Sequence, residues 1–294
     1  MTPRVAAHLI VGSREEPFLG ALLESLTGAV DTLIVNDNSA GLSPHAEIFA
    51  ASWFGRNSRL FVDRAPFTDF SSARNRCLDL HFQTSAGEWA AFVDADEVHG
   101  EAVRRIAGNL QAVPARCGFV DAYTWHFFQS FDLYTSIERR MTFFRVTPNA
   151  RWEGKVHERL CGVDGQRLAL PYVYAHYGHV LPARRHAEKG RHYSSLGQSG
   201  EIVPEERLEE LDIARYFQAI WPLLLRFNGA HPPAARVAVE RLRKEYAREH
   251  ERAGELARAA QPPLVRARNL ALKLNYEQRW RSRFLNPVAR RLLR

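Results

Sequence analysis

Short apolar runs in the first hundred residues stop at acidic clusters, and helix-like stretches separate them. Val5–Val11 is a continuous apolar run broken only by His8. Thr32–Val35 is β-branched and ends at Asn36-Asp37-Asn38-Ser39, a turn-forming cluster. Leu60–Val62 is a third short strand, and Trp89–Val93 runs into Asp94-Ala95-Asp96-Glu97. Between them, Glu16–Leu26, Ala46–Phe54, Asp69–Phe82 and Ala102–Leu110 carry apolar residues at helical spacing. Pro17 suits a helix start, and Asp69 or Ser71 can cap the third helix. Strand and helix alternating at this spacing predict an α/β fold around a parallel sheet. Ligands of such sheets bind beyond the carboxyl ends of the strands. Asp37, Asp94 and Asp96 all fall there, which makes them candidate site residues.

The middle of the chain, from Gly118 to Tyr177, is aromatic and strand-like, most clearly at Phe119–Phe128 and Met141–Val146. It predicts mixed or antiparallel strands that complete the sheet and wall the acceptor side. Residues 204–260 are rich in Ala, Glu, Arg and Leu, and Pro232-Pro233 and Pro262-Pro263 split them into separate helices. A chain of 294 residues with 46% hydrophobic and 25% charged content can bury a core without staples. The expected division is a large α/β domain over residues 1–195 and a basic helical extension over 196–294.

Cys77, Cys117 and Cys161 are odd in number and contain no Cys-x-x-Cys pair, which favours free thiols and a cytoplasmic location. No stretch reaches 18 apolar residues, so no membrane-spanning helix is expected. The N-terminal run lacks a cleavage pattern and reads as a first strand. The net charge of +7 is compatible with nucleic acid, anionic lipid or a phosphorylated substrate. No nucleic-acid-binding motif is present, and none is expected to be bound. The phosphate-loop, Gly-x-Gly-x-x-Gly and Gly-x-Ser-x-Gly patterns are all absent, which argues against kinase, dehydrogenase and serine-hydrolase chemistry.

The chemistry-bearing residues fall in a few segments. Two carboxylates one residue apart at a strand end, Asp94 and Asp96, can face one hard cation such as Mn²⁺ or Mg²⁺. Asp37 can accept hydrogen bonds from a base or ribose, or close an Asx-turn. Asp69-Phe70-Ser71-Ser72-Ala73-Arg74-Asn75 opens a helix, where anions are favoured, and Arg74 offers a planar fork to phosphate. In Arg151-Trp152-Glu153-Gly154-Lys155-Val156-His157-Glu158, either Glu158 or His157 can take a proton from a hydroxyl. A zinc-protease helix is not formed, because Cys161 stands where the second histidine would be. His176-Tyr177-Gly178-His179 follows another β-like run, and Arg184, Arg185, Lys189 and Arg191 supply cations just beyond it.

In this order the landmarks resemble the family-2 glycosyltransferases of the GT-A fold. They are Val35-Asn36-Asp37-Asn38-Ser39, Asp69-Phe70 with Ala73-Arg74-Asn75, Val93-Asp94-Ala95-Asp96-Glu97, Trp152-x-Gly154-x-Val156-His157-Glu158, and His176-Tyr177-Gly178. The resemblance spans residues 5 to 195 and is nearest to bacterial enzymes of lipopolysaccharide-core and peptide glycosylation. It implies a mostly parallel mixed sheet followed by the helical extension. It implies a nucleotide-sugar donor, a UDP-sugar first, and inverting transfer to a hydroxyl of a glycan, a lipid-linked glycan or a polypeptide. Asp37 would bind the nucleoside, Asp69 and Arg74 the base, ribose or diphosphate, and Asp94 the ribose side of the metal. Asp96 would ligate Mn²⁺ or Mg²⁺ with His176 beside it, and Glu158 would be the general base with His157 next to it. The chain departs from the pattern at Ser13-Arg14-Glu15-Glu16, where members often carry Arg-Asn-Glu; Arg14 is nonetheless placed on the donor side.

Two other readings are open on sequence alone. A metal-dependent hydrolase would use His157, His176 and His179 around zinc, and a scaffold would bind nucleotide-sugar without turnover. The basic tail, Leu270 to Arg294, is expected to form an amphipathic helix that either touches the inner face of the membrane or packs on the core.

Overall fold

The computed structural model describes residues 4–197, 203–208 and 210–282. Its strands are β1 (Val5–Val11), β2 (Thr32–Asp37), β3 (Leu60–Arg64), β4 (Trp89–Phe92), β5 (Glu97–Val98), β6 (Cys117–Phe128), β7 (Leu133–Arg145), β8 (Arg151–Glu153), β9 (Arg159–Cys161), β10 (Gln166–His179) and β11 (Leu225–Arg226). Its α-helices are α1 (Leu19–Leu26), α2 (Ala46–Ala51), α3 (Trp53–Arg56), α4 (Phe70–Thr84), α5 (Ala102–Gly108), α6 (Ala183–Ser195), α7 (Ile213–Tyr216), α8 (Arg236–Glu245), α9 (Ala247–Ala259) and α10 (Pro263–Ser282).

One mixed sheet runs in the order β3-β2-β1-β4-β7-β6-β10-β5, with β11 pairing β7. The β3-β2-β1-β4 half is wholly parallel, as the alternating pattern requires. Beyond β4 the sheet continues through antiparallel β7, and β6 and β10 run parallel to each other. Strands β1 and β2 are buried along almost their whole length, which explains why their runs are apolar apart from His8 and the ends of β2. The stretch expected as one helix over Ala46–Phe54 is two. Ser52 adopts an extended backbone, accepts a hydrogen bond from the Gly55 amide and restarts the chain as α3. Asp69 caps α4 by accepting from the Ser72 amide at 2.7 Å.

The main core lies between the first half of the sheet and α1 and α5, around Leu9, Leu22, Val35, Ile106 and Phe143. A second cluster joins Phe18, Phe127 and Tyr177 to Val239 and Leu242 of α8. A third ties Phe128 and Leu133 to Trp221, Leu224, Ala253 and Ala257. Helix α8 thus packs against the end of β10, and α9 against the end of β6 and the start of β7. Among the described residues no helix is long and apolar enough to cross a membrane.

Candidate active site

The chain turns sharply after β4. Asp94 to Asp96 form the turn, and Glu97 and Val98 return as β5 to pair with His176 and Ala175 of β10. Backbone bonds from Glu97 N to Asp94 O (3.0 Å) and from Tyr177 N to Asp96 O (2.8 Å) fix this turn against β10. The turn opens into a cleft of about 870 Å³ at the carboxyl ends of the parallel strands. Ser13–Phe18, Arg74, Arg140, His157, Glu158, His176–His179 and Lys189 line it as well.

Arg74 is the hub of the acidic wall. Its guanidinium is buried, lies 4.0 Å above the Phe92 ring, and donates to Asp94 Oδ1 (2.6 Å) and Glu158 Oε1 (3.2 Å). Arg140, from the middle of β7, donates to Asp94 Oδ2 (3.1 Å) and Glu97 Oε1 (2.6 Å). Burial works against ionisation of Asp94, but the two guanidiniums outweigh it and hold the carboxyl down to about 2. Burial pushes Glu97 up to about 7 despite Arg140.

Asp96 is arranged differently. Its Oδ1 is buried, lies 3.2 Å from His176 Nε2, and has no other partner among the described residues. Its Oδ2 is 3.9 Å from Lys189 Nζ. Burial opposes ionisation here too, yet His176 and Lys189 hold this carboxyl far below the usual range. Burial lowers His176, and the Asp96 carboxylate more than restores it, so the net direction is upward. Gly178 keeps the pair free of obstruction, since a Cβ there would lie 2.5 Å from Asp96 Oδ2 and 2.9 Å from His176 Cε1.

An oxygen and an imidazole nitrogen facing one point, with the carboxylate oxygen short of a partner, suit Mn²⁺ or Mg²⁺. Asp94 fits this role less well, because both its oxygens are taken by guanidiniums. Two protein donors leave the remaining positions to water and substrate phosphate, the usual habit of Mg²⁺. A zinc hydrolase needs three protein ligands around one point. No group of three or more His, Cys, Asp or Glu is so arranged among the described residues.

The other sequence candidates separate by position. Glu158 sits in the β8–β9 loop, and its second oxygen makes no hydrogen bond among the described residues. His157, at a left-handed φ of 56°, is exposed at the mouth of the cleft. Arg14 also borders the cleft, half exposed, 3.7 Å from Glu188. Asp37 closes an Asx-turn onto the Ser39 amide (2.9 Å), with Arg64 at 3.9 Å; Asn38, not Asp37, reaches the cleft wall. Asp69 is occupied as the α4 cap, while its neighbours Phe67 and Phe70 line the cleft. Cys77, Cys117 and Cys161 are all free.

Sequence reasoning missed Arg140 and Glu16. Arg140 is one of two adjacent arginines in a strand, and only the β4–β7 pairing brings it to Asp94. Glu16 follows the end of β1, so the strand-end rule applied there would have found it. Burial, and then Asp96, push its carboxyl up to about 7, against Lys189, Arg185 and Arg14.

No family model matches the chain, and neither does any curated protein. Among solved structures it is similar to a mannosyltransferase from Pyrobaculum calidifontis in complex with GDP-mannose and Mn²⁺. That match is 15% identical over 99% of this chain and 85% of the other, with a TM-score of 0.45. A glucosyl-3-phosphoglycerate synthase from Mycobacterium tuberculosis, with Mn²⁺, UDP and phosphoglyceric acid, matches at 20% identity over 42% of this chain, with a TM-score of 0.30. The chain spans only 43% of that enzyme's length. A GalNAc transferase holding UDP, GalNAc and Mn²⁺ matches at 8% identity over 57% of this chain and 30% of the other, with a TM-score of 0.34.

Proposed function

We propose that the chain is a metal-dependent glycosyltransferase of the GT-A type, taking a nucleotide-sugar donor, a UDP-sugar first. One observation carries this reading. Residues from four separate landmarks of the family resemblance, Arg74, Asp94 with Asp96, Glu158 and His176, converge on one cleft at the strand ends. Asp96 and His176 would hold Mn²⁺ or Mg²⁺, which when bound supplies positive charge to the departing nucleoside diphosphate.

The protein's own groups do the rest. Lys189, Arg185 and Arg14 face the same side of the cleft and supply cations to a diphosphate. Arg74 and Arg140 clamp Asp94, so that its carboxylate is fixed for a ribose or sugar hydroxyl. Glu158 has one oxygen anchored on Arg74 and accepts the proton of the acceptor hydroxyl with the other. The attack is from the face opposite the leaving group, with inversion at the anomeric carbon. Asp37, Asp69 and His157 stay as candidates for the nucleoside and acceptor ends. The acceptor is a glycan, a lipid-linked glycan or a polypeptide.

The test is release of nucleoside diphosphate from a panel of UDP-, GDP-, CMP- and dTDP-sugars with Mn²⁺. Glu158→Gln should lower kcat by about 10²-fold or more with donor binding retained. Rates near wild type for both Glu158→Gln and Asp96→Asn would discard the assignment.

We also propose that the extension beyond residue 195 touches an anionic membrane surface. On α10, Leu264, Leu270 and Leu274 are 86%, 58% and 52% exposed, beside Arg266 and Arg268. The same helix walls a further cavity of about 900 Å³ that Arg226 and Arg258 also line. Of the expected tail helix, residues 283–294 lie outside the described residues. Sedimentation with phosphatidylglycerol vesicles tests it; equal binding after Leu270→Glu with Leu274→Glu would reject it.

A further inference from the structure

Three neighbouring strands bring Glu138, His126 and His176 into a row that ends at Asp96 in the β4–β5 turn, and the reaction chemistry above uses only its last two members. In β6, Thr124-Trp125-His126-Phe127 is an otherwise apolar and aromatic strand carrying one imidazole. The parallel pairing of β6 and β10 sets His126 directly beside His176. The antiparallel pairing of β6 and β7 sets Glu138 opposite Thr124, two residues from His126 and so on the same face. The contacts follow from that register. Glu138 Oε2 lies 3.4 Å from His126 Nε2, the two Nδ1 atoms of His126 and His176 are 3.0 Å apart, and His176 Nε2 is 3.2 Å from Asp96 Oδ1.

Counting protons along the row leaves one consistent arrangement. Glu138 is an acceptor, and His126 beside it holds its carboxyl down to about 2. The Glu138 carboxylate 3.4 Å away therefore favours the His126 proton on Nε2, which leaves Nδ1 as a lone pair. The 3.0 Å contact between the rings then needs its proton on His176 Nδ1. The reverse order would turn a lone pair on His126 Nε2 towards the Glu138 carboxylate.

We propose that His126, backed by Glu138, is a positioning residue that holds His176 as the Nδ1–H donor and so turns the His176 Nε2 lone pair towards a divalent cation shared with Asp96. This rests on the metal reading given above. Outer partners of this kind orient a ligand histidine and set its tautomer, and their loss typically weakens metal affinity by about 10–100-fold.

The experiment is a Mn²⁺ titration of the full chain in the presence of UDP, followed by the electron paramagnetic resonance of free Mn²⁺, with melting temperature as a control for folding. His126→Phe keeps a ring but loses the acceptor, and should bind Mn²⁺ about 10–100-fold more weakly. His126→Asn places an amide oxygen near the former Nδ1 position and should recover affinity to within a few-fold of wild type. Glu138→Ala, at a side chain 59% exposed, should fold normally and weaken binding several-fold. Equal affinity of wild type, His126→Phe and Glu138→Ala would overturn the proposal, as would His126→Asn binding no better than His126→Phe. If His126→Phe does not fold, an unchanged affinity in Glu138→Ala is sufficient to overturn it. Wild type that binds no Mn²⁺ would instead overturn the metal reading, and this inference with it.

Discussion

Replacing Gly178 by alanine adds a single methyl group at the point where Asp96 and His176 meet. The backbone there is not in the left-handed region, so the substitution carries no φ strain. The new Cβ would stand 2.5 Å from Asp96 Oδ2, roughly 0.8 Å inside an ordinary carbon–oxygen contact of about 3.3 Å. It would also stand 2.9 Å from His176 Cε1 and 3.0 Å from His176 Nε2. All three atoms end side chains, so the free protein relieves the overlap by swinging the carboxylate and ring apart. Binding a cation between them forces both back. Overpacking typically costs about 1–3 kcal/mol, and here that cost falls on the bound state. At about 1.4 kcal/mol per tenfold, Mn²⁺ affinity should fall about 5- to 150-fold, with the urea midpoint little changed. Calorimetric titration of Mn²⁺ in the presence of UDP, beside urea denaturation of the same variant, measures both. Affinity within twofold of wild type would refute the placement of the cation between Asp96 and His176.

Arg74→Met should destabilise the fold by about 1–3 kcal/mol, because it leaves Glu158 and one oxygen of Asp94 as partly buried charge without a partner; urea denaturation reads this directly. Gly162→Ala should cost at least about 2 kcal/mol and lower the melting temperature, since Gly162 has a φ of 72° and its Cβ would overlap the Asn149 carbonyl. The buried histidines should also make stability fall on mild acidification. Burial depresses His99 to about 3 from an ordinary 6.5, so the unfolded chain binds this proton first. The stabilisation is present above pH 6.5 and is lost as pH falls from there towards 3, at up to about 1.4 kcal/mol per unit. Burial depresses His186 and His231 to about 4, in the same direction. Glu16 and Glu97, pushed up to about 7 by burial, take protons on folding and act the other way over the same range, so the test compares wild type with His99→Gln: the same change in urea midpoint between pH 7 and pH 5 in both would refute this.

The elements of the first half were legible because their signals are local. Three to five apolar residues in a row, a turn cluster and a capped amphipathic stretch depend only on near neighbours in the chain. Strand-end logic likewise placed Asp94 and Asp96 at the mouth of the sheet without knowledge of the sheet order. The same logic placed Asp37 there, where one carboxylate oxygen closes an Asx-turn onto the Ser39 amide, and nothing in a linear pattern separates an Asx-turn from a ligand. The single helix expected over Ala46–Phe54 is two, since Ser52 can sit within a helix or cap a new one, and only packing chose the cap.

The sequence by itself determined most strands and helices of the first half and which acidic residues stand at their strand ends, because hydrophobic period and turn chemistry act over a few residues. Tertiary structure alone decided the partners. Arg140 reaches Asp94 across 46 positions, Arg74 reaches Glu158 across 84, and His126 meets His176 across 50. Register between strands is set by burial of whole faces against the core, so a charge or tautomer at one position depends on residues remote in the chain.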